Sequence, residues 1–205
     1  MRTYYSLLLL MSVCALWCSN PAQAQYYDEA RSQTVLFTAP DFYLGLGTGF
    51  NGPVGLIGPQ AEYRFANKLT VAGGLGLGSW GYKMTGGVRF YPSYPSKLAF
   101  NAGVSYCTGL PKFETELDTL NGPYRQGSEV TLRLKPTATF NLSGLYFWSL
   151  GKTTRLGVEF GYAFSLRDRA YETLDGSQLS YESALIMDLL QPGGLILALS
   201  LMFGS

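Results

Sequence analysis

The charged side chains best able to do chemistry fall at every second position of the chain. Glu62 and Arg64 are two apart, as are Arg133 and Lys135, and Lys83, Arg89, Arg155 and Glu159 each lie in a stretch where apolar residues alternate with small or polar ones. Period-two spacing puts such charges on one face of a strand. If that face is enclosed, each charge needs an opposite partner or water. Two chemistries follow from the set. A surplus of bases lining a pore favours anions or holds an anionic ligand, whereas acids and bases packed together form a plug of salt bridges.

Catalysis has little to work with. The chain contains no histidine, the side chain whose unperturbed pKa suits it to act as a general base near neutral pH. No Ser/Lys or carboxylate motif marks another route, so no catalytic residue is assigned. Metal and cofactor binding are equally unsupported, since the only soft ligands are Cys14, Cys18 and Cys107.

The first residues are organised as an export signal. Arg2 supplies the positive start, Ser6 to Trp17 is mostly apolar, and Ala22-Gln23-Ala24 is a small-x-small cleavage site. Leu7 to Trp17 is well short of the ~20 apolar residues of a spanning helix. Trp17 and Val13, preceding Cys18 and Cys14, do not fit lipoprotein processing. Residues 1–24 are therefore expected to be removed, leaving 181 of the 205 residues. Cys107 then remains alone and cannot form an internal disulfide; it is expected as a small packing residue, with a reactive thiol as the alternative. Arg2 leaves with the signal, so 14 bases face 14 acids, a balance that gives no support for nucleic-acid binding.

The remaining length suits one domain. Charged residues make up 14% of the chain, against about 25% in a typical soluble domain, which is too few for a fully hydrated surface. Strand patterning fills most of the sequence. From Phe42 to Phe50 the even positions read Phe, Leu, Leu, Thr, Phe and the odd ones Tyr43, Gly45, Gly47, Gly49. Similar alternation covers 60–66, 69–78, 82–91, 98–107, 130–148, 155–164 and 195–203, eight segments in all. Most approach the ~9–11 residues with which a tilted strand crosses a bilayer. The segment 130–148 is too long for one crossing, so part of it is expected to stand above the bilayer, with Pro136 as an edge or bulge. Every second connection is short: Asn67-Lys68, Pro92 to Ser96, and Gly151 to Thr154. The others, Asn51 to Pro59, Ser79-Trp80-Gly81, Thr108 to Glu129 and Ser165 to Gly194, are expected at the outer side.

Alternation by itself does not say which face is inside, because a soluble ligand-binding barrel alternates too. The second face decides it: glycine, threonine, serine and asparagine with a few charges suit a narrow interior, leaving the Leu, Val and aromatic face for lipid. Aromatics near segment ends, such as Phe42, Phe90, Tyr82 and Phe164, are expected as girdles at the two membrane interfaces.

With signal, strands and C-terminus in view, Asp41 to Phe203 resembles the small outer-membrane β-barrels of Gram-negative bacteria, the porin-like and OmpA- or OmpX-like barrels. The resemblance rests on pattern, and on Leu195-x-Leu-x-Leu-x-Leu-x-Phe203, which looks like the C-terminal signal read by the barrel assembly machinery. Gly204 and Ser205 after the aromatic depart from that pattern. The resemblance implies an all-β, eight-stranded antiparallel transmembrane barrel over residues 41–205, with 25–40 as a periplasmic extension, outer-membrane lipid around it, and the assembly machinery as a partner during insertion.

Within such a barrel Glu62, Arg64, Lys83, Arg89, Arg155 and Glu159 are the expected lumen charge network, with Arg133 and Lys135 bringing the interior excess to four positive charges unless they stand above the membrane. A barrel of eight strands is just wide enough for its own side chains, which favours the plug over a basic channel. Inward glycines such as Gly45, Gly74 and Gly161 either leave a cavity or relieve crowding. The long loops are where a surface protein or glycan would bind. Tyr181 to Leu190, with Ser180 as a cap and Pro192-Gly193-Gly194 as a stop, is either a short helix over the mouth or a strand extension.

Overall fold

The computed structural model describes residues 40–93, 96–120, 128–176 and 178–205. The expected signal peptide, and all of the N-terminal extension except Pro40, lie outside these residues.

Eight antiparallel strands close into a barrel: β1 (Phe42–Phe50), β2 (Ile57–Ala66), β3 (Leu69–Gly78), β4 (Gly81–Phe90), β5 (Leu98–Cys107), β8 (Thr137–Ser149), β9 (Thr154–Ser165) and β11 (Gly194–Gly204). Each pairs with its neighbour in sequence order, except that β5 pairs with β8 and β9 with β11. The intervening β6 (Leu110–Leu117), β7 (Ser128–Leu134) and β10 (Tyr171–Thr173) form a separate three-stranded sheet in the order β10-β7-β6. One helix, α1 (Tyr181–Leu190), precedes β11. The β2–β3, β4–β5 and β8–β9 connections lie at one end of the barrel, the turn end; the β3–β4 turn, the separate sheet and the helix belong to the opposite, cap end.

Closure runs through β1 and β11, in register from Tyr43↔Gly204 to Phe50↔Leu197. Gly204, which departs from the expected C-terminal pattern, is a paired strand residue. A Cβ there would lie 2.5 Å from the Pro40 ring and 2.8 Å from the Tyr43 ring, so its lack of a side chain lets the start of β1 and the end of β11 meet.

The alternation has the expected sense. Leu44, Leu46, Val71, Leu75, Val104, Leu142, Phe160 and Leu197 project from the outer wall and are exposed, while Glu62, Asn101, Asn141 and Glu159 are buried inside. The inner face also takes large residues that the glycine pattern does not announce: Tyr43, Leu145, Phe147, Ile196 and Met202 are buried there.

Two expectations for the connections need correction. The loop 108–129 contains a strand, β6, whose backbone pairs with β7. The segment 130–148 splits at Pro136 into β7 and β8. Its even-numbered apolar residues keep phase but change environment, because Val130, Leu132 and Leu134 are buried with Trp80, Cys107, Ala170, Tyr171 and Met187 in a core of their own, whereas Phe140, Leu142, Tyr146 and Trp148 are exposed on the barrel wall. The β1–β2 connection lies at the same end as the other alternate connections, as expected, and turns inward there: Val54 is buried above the inner glycines. A Cβ on Gly47 would lie 2.9 Å from Val54 Cγ2, and one on Gly74 would lie 2.8 Å from Val54 Cγ1. These two glycines are seats for an inserted side chain. Asn51 starts the inward turn in the left-handed region (φ 54°), which Asn tolerates better than most residues, and its Nδ2 donates to Gly193 O at 2.5 Å.

The ambiguous run 181–190 is a helix. Ser180 caps it, its hydroxyl accepting from Ser183 N at 3.2 Å. Ser183 and Met187, one turn apart, are its buried side. The short turn at Ser79-Trp80-Gly81 is a true strand connection, β3 pairing with β4 down to Gly78↔Gly81, and Trp80 is a core residue of the cap.

Because the cap has its own core, Leu132→Ala is expected to destabilise it by about 2–5 kcal/mol while leaving the barrel closed. Limited proteolysis should then cleave between β6 and β7 and before α1 faster than in the unmodified protein, with the barrel strands still protected.

Candidate functional site: the barrel lumen

Strand pairing brings Glu62 of β2, Arg89 of β4 and Arg155 of β9 to one level near the turn end, although they are far apart in sequence. Arg89 Nη1 donates to Glu62 Oε2 at 2.5 Å and Arg155 Nη2 donates to the same oxygen at 2.6 Å. The Tyr91 hydroxyl, just past β4, donates to Glu62 Oε1 at 2.5 Å. One carboxylate thus carries two guanidiniums and a phenol. The Arg155 guanidinium is held between rings, 3.7 Å from the Tyr43 centroid and 4.2 Å from that of Phe147, an arrangement in which cation–π attraction is strengthened by the loss of water. Tyr91 and Phe147 are stacked beside it, closing the section with aromatic bulk.

Higher in the barrel the polar residues join strands in pairs. Ser143 Oγ donates to Glu159 Oε1 at 2.5 Å and accepts from Asn101 Nδ2 at 3.3 Å, linking β9, β8 and β5. Asn141 Nδ2 donates to Ser105 Oγ at 2.5 Å, and Thr139 Oγ1 donates to Asn141 Oδ1 at 2.8 Å. Thr85 and Ser105 share a further hydrogen bond at 2.7 Å. At the cap end Lys83 Nζ donates to the backbone oxygen of Asn51 at 3.0 Å, tethering the inserted β1–β2 connection. Two hollows open among these residues, one of about 10 Å³ near Glu159 and Gln60 and one of about 20 Å³ near Lys83 and Trp80, each on the scale of one water molecule.

The six expected lumen charges therefore divide. Glu62, Arg89 and Arg155 form the cluster; Glu159 and Lys83 are buried at other levels, each with its own partner. Arg64 does not join them. It lies at the turn-end rim and pairs with Asp41, because it falls one inward position beyond Glu62, where β2 ends. Arg133 of β7 and Lys135, the residue after that strand, belong to the cap and share Glu172 of β10, at 3.1 and 2.5 Å. The interior excess shrinks from four positive charges to one, with three bases against two acids. Sequence reasoning missed Tyr43, Tyr91 and Phe147, the aromatic part of the cluster. Their signal was available: each sits at an inward position of the same alternation that assigns Glu62 and Arg155.

Among the described residues no group of three or more His, Cys, Asp or Glu side chains is placed to hold a metal ion. Cys107 is buried in the cap core beneath Trp80.

No model of a known protein family matches the chain, and no curated protein matches it.

Two outcomes test this reading of the charges. Glu62→Gln leaves two buried guanidiniums without their counter-charge, and breaking a buried pair in this way costs about 3–5 kcal/mol; urea unfolding should show the loss, and adding Arg89→Met should recover part of it. In the cap, the hydrogen bond from Lys135, assisted by the charge of Arg133, holds the Glu172 carboxyl below its ordinary value of 4.5. A depressed folded-state pKa stabilises the fold above the unfolded value and is lost as pH falls through the folded one. Protection of the β10 amides from exchange, corrected for intrinsic rate, should therefore decline below about pH 4.5, and Glu172→Gln should abolish that dependence.

Proposed function

We propose that the protein is an exported, integral outer-membrane β-barrel whose lumen is a structural plug and whose cap of β6, β7, β10 and α1 is a surface for recognition outside the cell. The observation that carries this reading is the outer wall. Leu46, Leu75, Val104 and Phe160 are each more than half exposed, and comparable side chains surround the whole barrel. A soluble monomer rarely shows an apolar patch beyond a few hundred Å², whereas a hydrocarbon environment requires such a belt.

The remaining features agree with it. Closure leaves no barrel strand with an open edge, as a lipid-exposed sheet demands. Aromatics mark both ends of the wall, with Phe42, Phe65, Phe90, Trp148 and Phe203 toward the turn end and Tyr82, Tyr106, Phe140 and Phe164 toward the cap, the placement expected at the two interfaces. The apolar run at 6–17 and the Ala22-Gln23-Ala24 site supply the export step. In that orientation the short turns face the periplasm and the cap stands outside.

The filled lumen favours a non-conducting barrel over a small porin. A basic channel needs an open path lined by surplus positive charge; here the guanidiniums are engaged by Glu62 and flanked by Tyr43 and Phe147. An enzymatic role has no histidine to call on, and the inner carboxylates Glu62 and Glu159 are already occupied as acceptors.

Unboiled protein is expected to migrate differently from boiled protein on electrophoresis and to remain in the membrane fraction after alkaline carbonate. Recovery in the soluble fraction with unchanged migration would instead identify a soluble ligand-binding barrel. Reconstituted into planar bilayers, the protein should give no steady current.

A further inference from the structure

The interior of the barrel holds one base too many. Lys83, Arg89 and Arg155 are buried there with only Glu62 and Glu159 as acids. Glu62 is taken by Arg89 and Arg155, while the Glu159 carboxylate accepts from Ser143 and attracts Lys83 and Arg89 only at longer range. Lys83 is 3% exposed, and its Nζ donates to the neutral backbone oxygen of Asn51. Among the described residues it forms no ion pair. An ammonium so placed has two further N–H donors to direct, and its charge is costly to bury without an opposite one.

Those donors stand beside a hollow. The space of about 20 Å³ at the cap end is lined by both Lys83 and Asn51, the two ends of that hydrogen bond. Trp80 lines it as well. Its side chain is 2% exposed, and the indole Nε1–H, which can only donate, is buried with no acceptor among the described residues. Cys107 is a third lining residue, opposite Lys83 in the β4–β5 ladder, and its thiol is a weak donor. None of the lining residues is acidic. An ammonium, an indole N–H and a thiol therefore surround one small space that offers them no carboxylate.

Size and charge select what belongs there. A water molecule would accept from the indole but bring no charge; a negative ion does both. The volume holds about one water-sized group, which admits a halide and excludes phosphate, sulfate or a ligand bearing a carboxylate. Leu56 and Ser79 also line the hollow and are exposed, so the outer solution can reach it. Two connections meet over the space, β1–β2 bringing Asn51 and Leu56 and β3–β4 bringing Ser79 and Trp80.

From this juxtaposition we propose that the cap end of the lumen binds one chloride-sized monovalent anion between the Lys83 ammonium and the Trp80 indole N–H, and that this ion supplies the countercharge the strands lack. The ion is a fixed part of the plug, since the barrel below it is closed by the Glu62 cluster and its aromatic rings. The inference needs only the closed barrel and stands whether or not lipid surrounds the wall.

The test uses residues 25–205 refolded in detergent, with Trp148→Phe so that Trp80 is the only tryptophan. Bromide is exchanged for gluconate at constant ionic strength; gluconate is too large to enter, and a heavy halide against the indole quenches its fluorescence. Quenching should saturate with bromide, and chloride should reverse it by competition. Lys83→Met, which keeps the length of the side chain without its charge, should weaken bromide binding roughly tenfold or more, the scale of one hydrogen bond to a charged group. Should that variant fail to fold, Gly78→Ala narrows the hollow with both donors kept. A Cβ there would lie 3.8 Å from Lys83 Cβ and 3.5 Å from Gly81 O, which are ordinary contacts. It should weaken bromide more than the smaller chloride. Quenching that climbs in proportion to bromide without saturating, or that both variants leave unchanged, would overturn the proposal and make water the occupant.

Discussion

Closure of the sheet through β1 and β11 is the constraint on which the rest of the structure depends. An eight-stranded barrel has one narrow inner surface and one wide outer surface, and once the last pair is made each side chain is committed to one or the other. Slipping a strand by one residue would exchange the two sets entirely. For β9, such a slip would turn Arg155 and Glu159 outward and drive Leu156, Val158 and Phe160 into a lumen with no space for them. Register and side-chain size therefore enforce each other around the ring.

The interior meets this constraint with layers of different chemistry. Near the turn end it is ionic and aromatic, with Glu62 shared between Arg89 and Arg155 and the Arg155 guanidinium enclosed by Tyr43 and Phe147. Midway it is hydrogen-bonded through Asn101, Ser105, Asn141 and Ser143, with the Glu159 carboxylate accepting from Ser143. Toward the cap β1, β2 and β3 contribute mainly glycine, and the β1–β2 connection supplies the missing bulk with Val54. Such an interior replaces a hydrophobic core with a polar network, in which Arg89 Nε, Arg155 Nε, Thr70 Oγ1 and Thr137 Oγ1 are buried without a hydrogen-bond partner among the described residues. A plug of this kind makes the barrel a rigid post.

The cap is built on the opposite principle. Val130, Leu132 and Leu134 of β7, Met187 of α1 and Trp80 of the β3–β4 turn pack as an ordinary apolar core, and the charges Arg133, Lys135 and Glu172 lie on the exposed side of the same sheet. The chain passes from one regime to the other at Pro136, where the missing N–H ends the β7 ladder and β8 begins in the barrel. The cap has its own sheet, and its core reaches the barrel only through Trp80 and Cys107.

Much of this was legible in the residues. The count of eight barrel strands, the outward sense of the Leu, Val and aromatic face and the inward placement of Glu62, Lys83, Arg89, Arg155 and Glu159 all follow from a two-residue period, because strand geometry converts position parity directly into a face. Parity says nothing about height along the barrel or about which strand lies opposite. So it could not separate Arg64, one inward step beyond Glu62 and already at the rim, from the cluster, nor show that Val130, Leu132 and Leu134 share phase with Phe140 and Leu142 yet pack in a different core. Nor did it show that Tyr91 and Arg155 meet on one carboxylate, or that Gly47 and Gly74 are hollow because Val54 fills them. Those facts belong to the tertiary structure alone, since they depend on pairing between residues distant in the chain, and a local repeat carries no information about its distant partner.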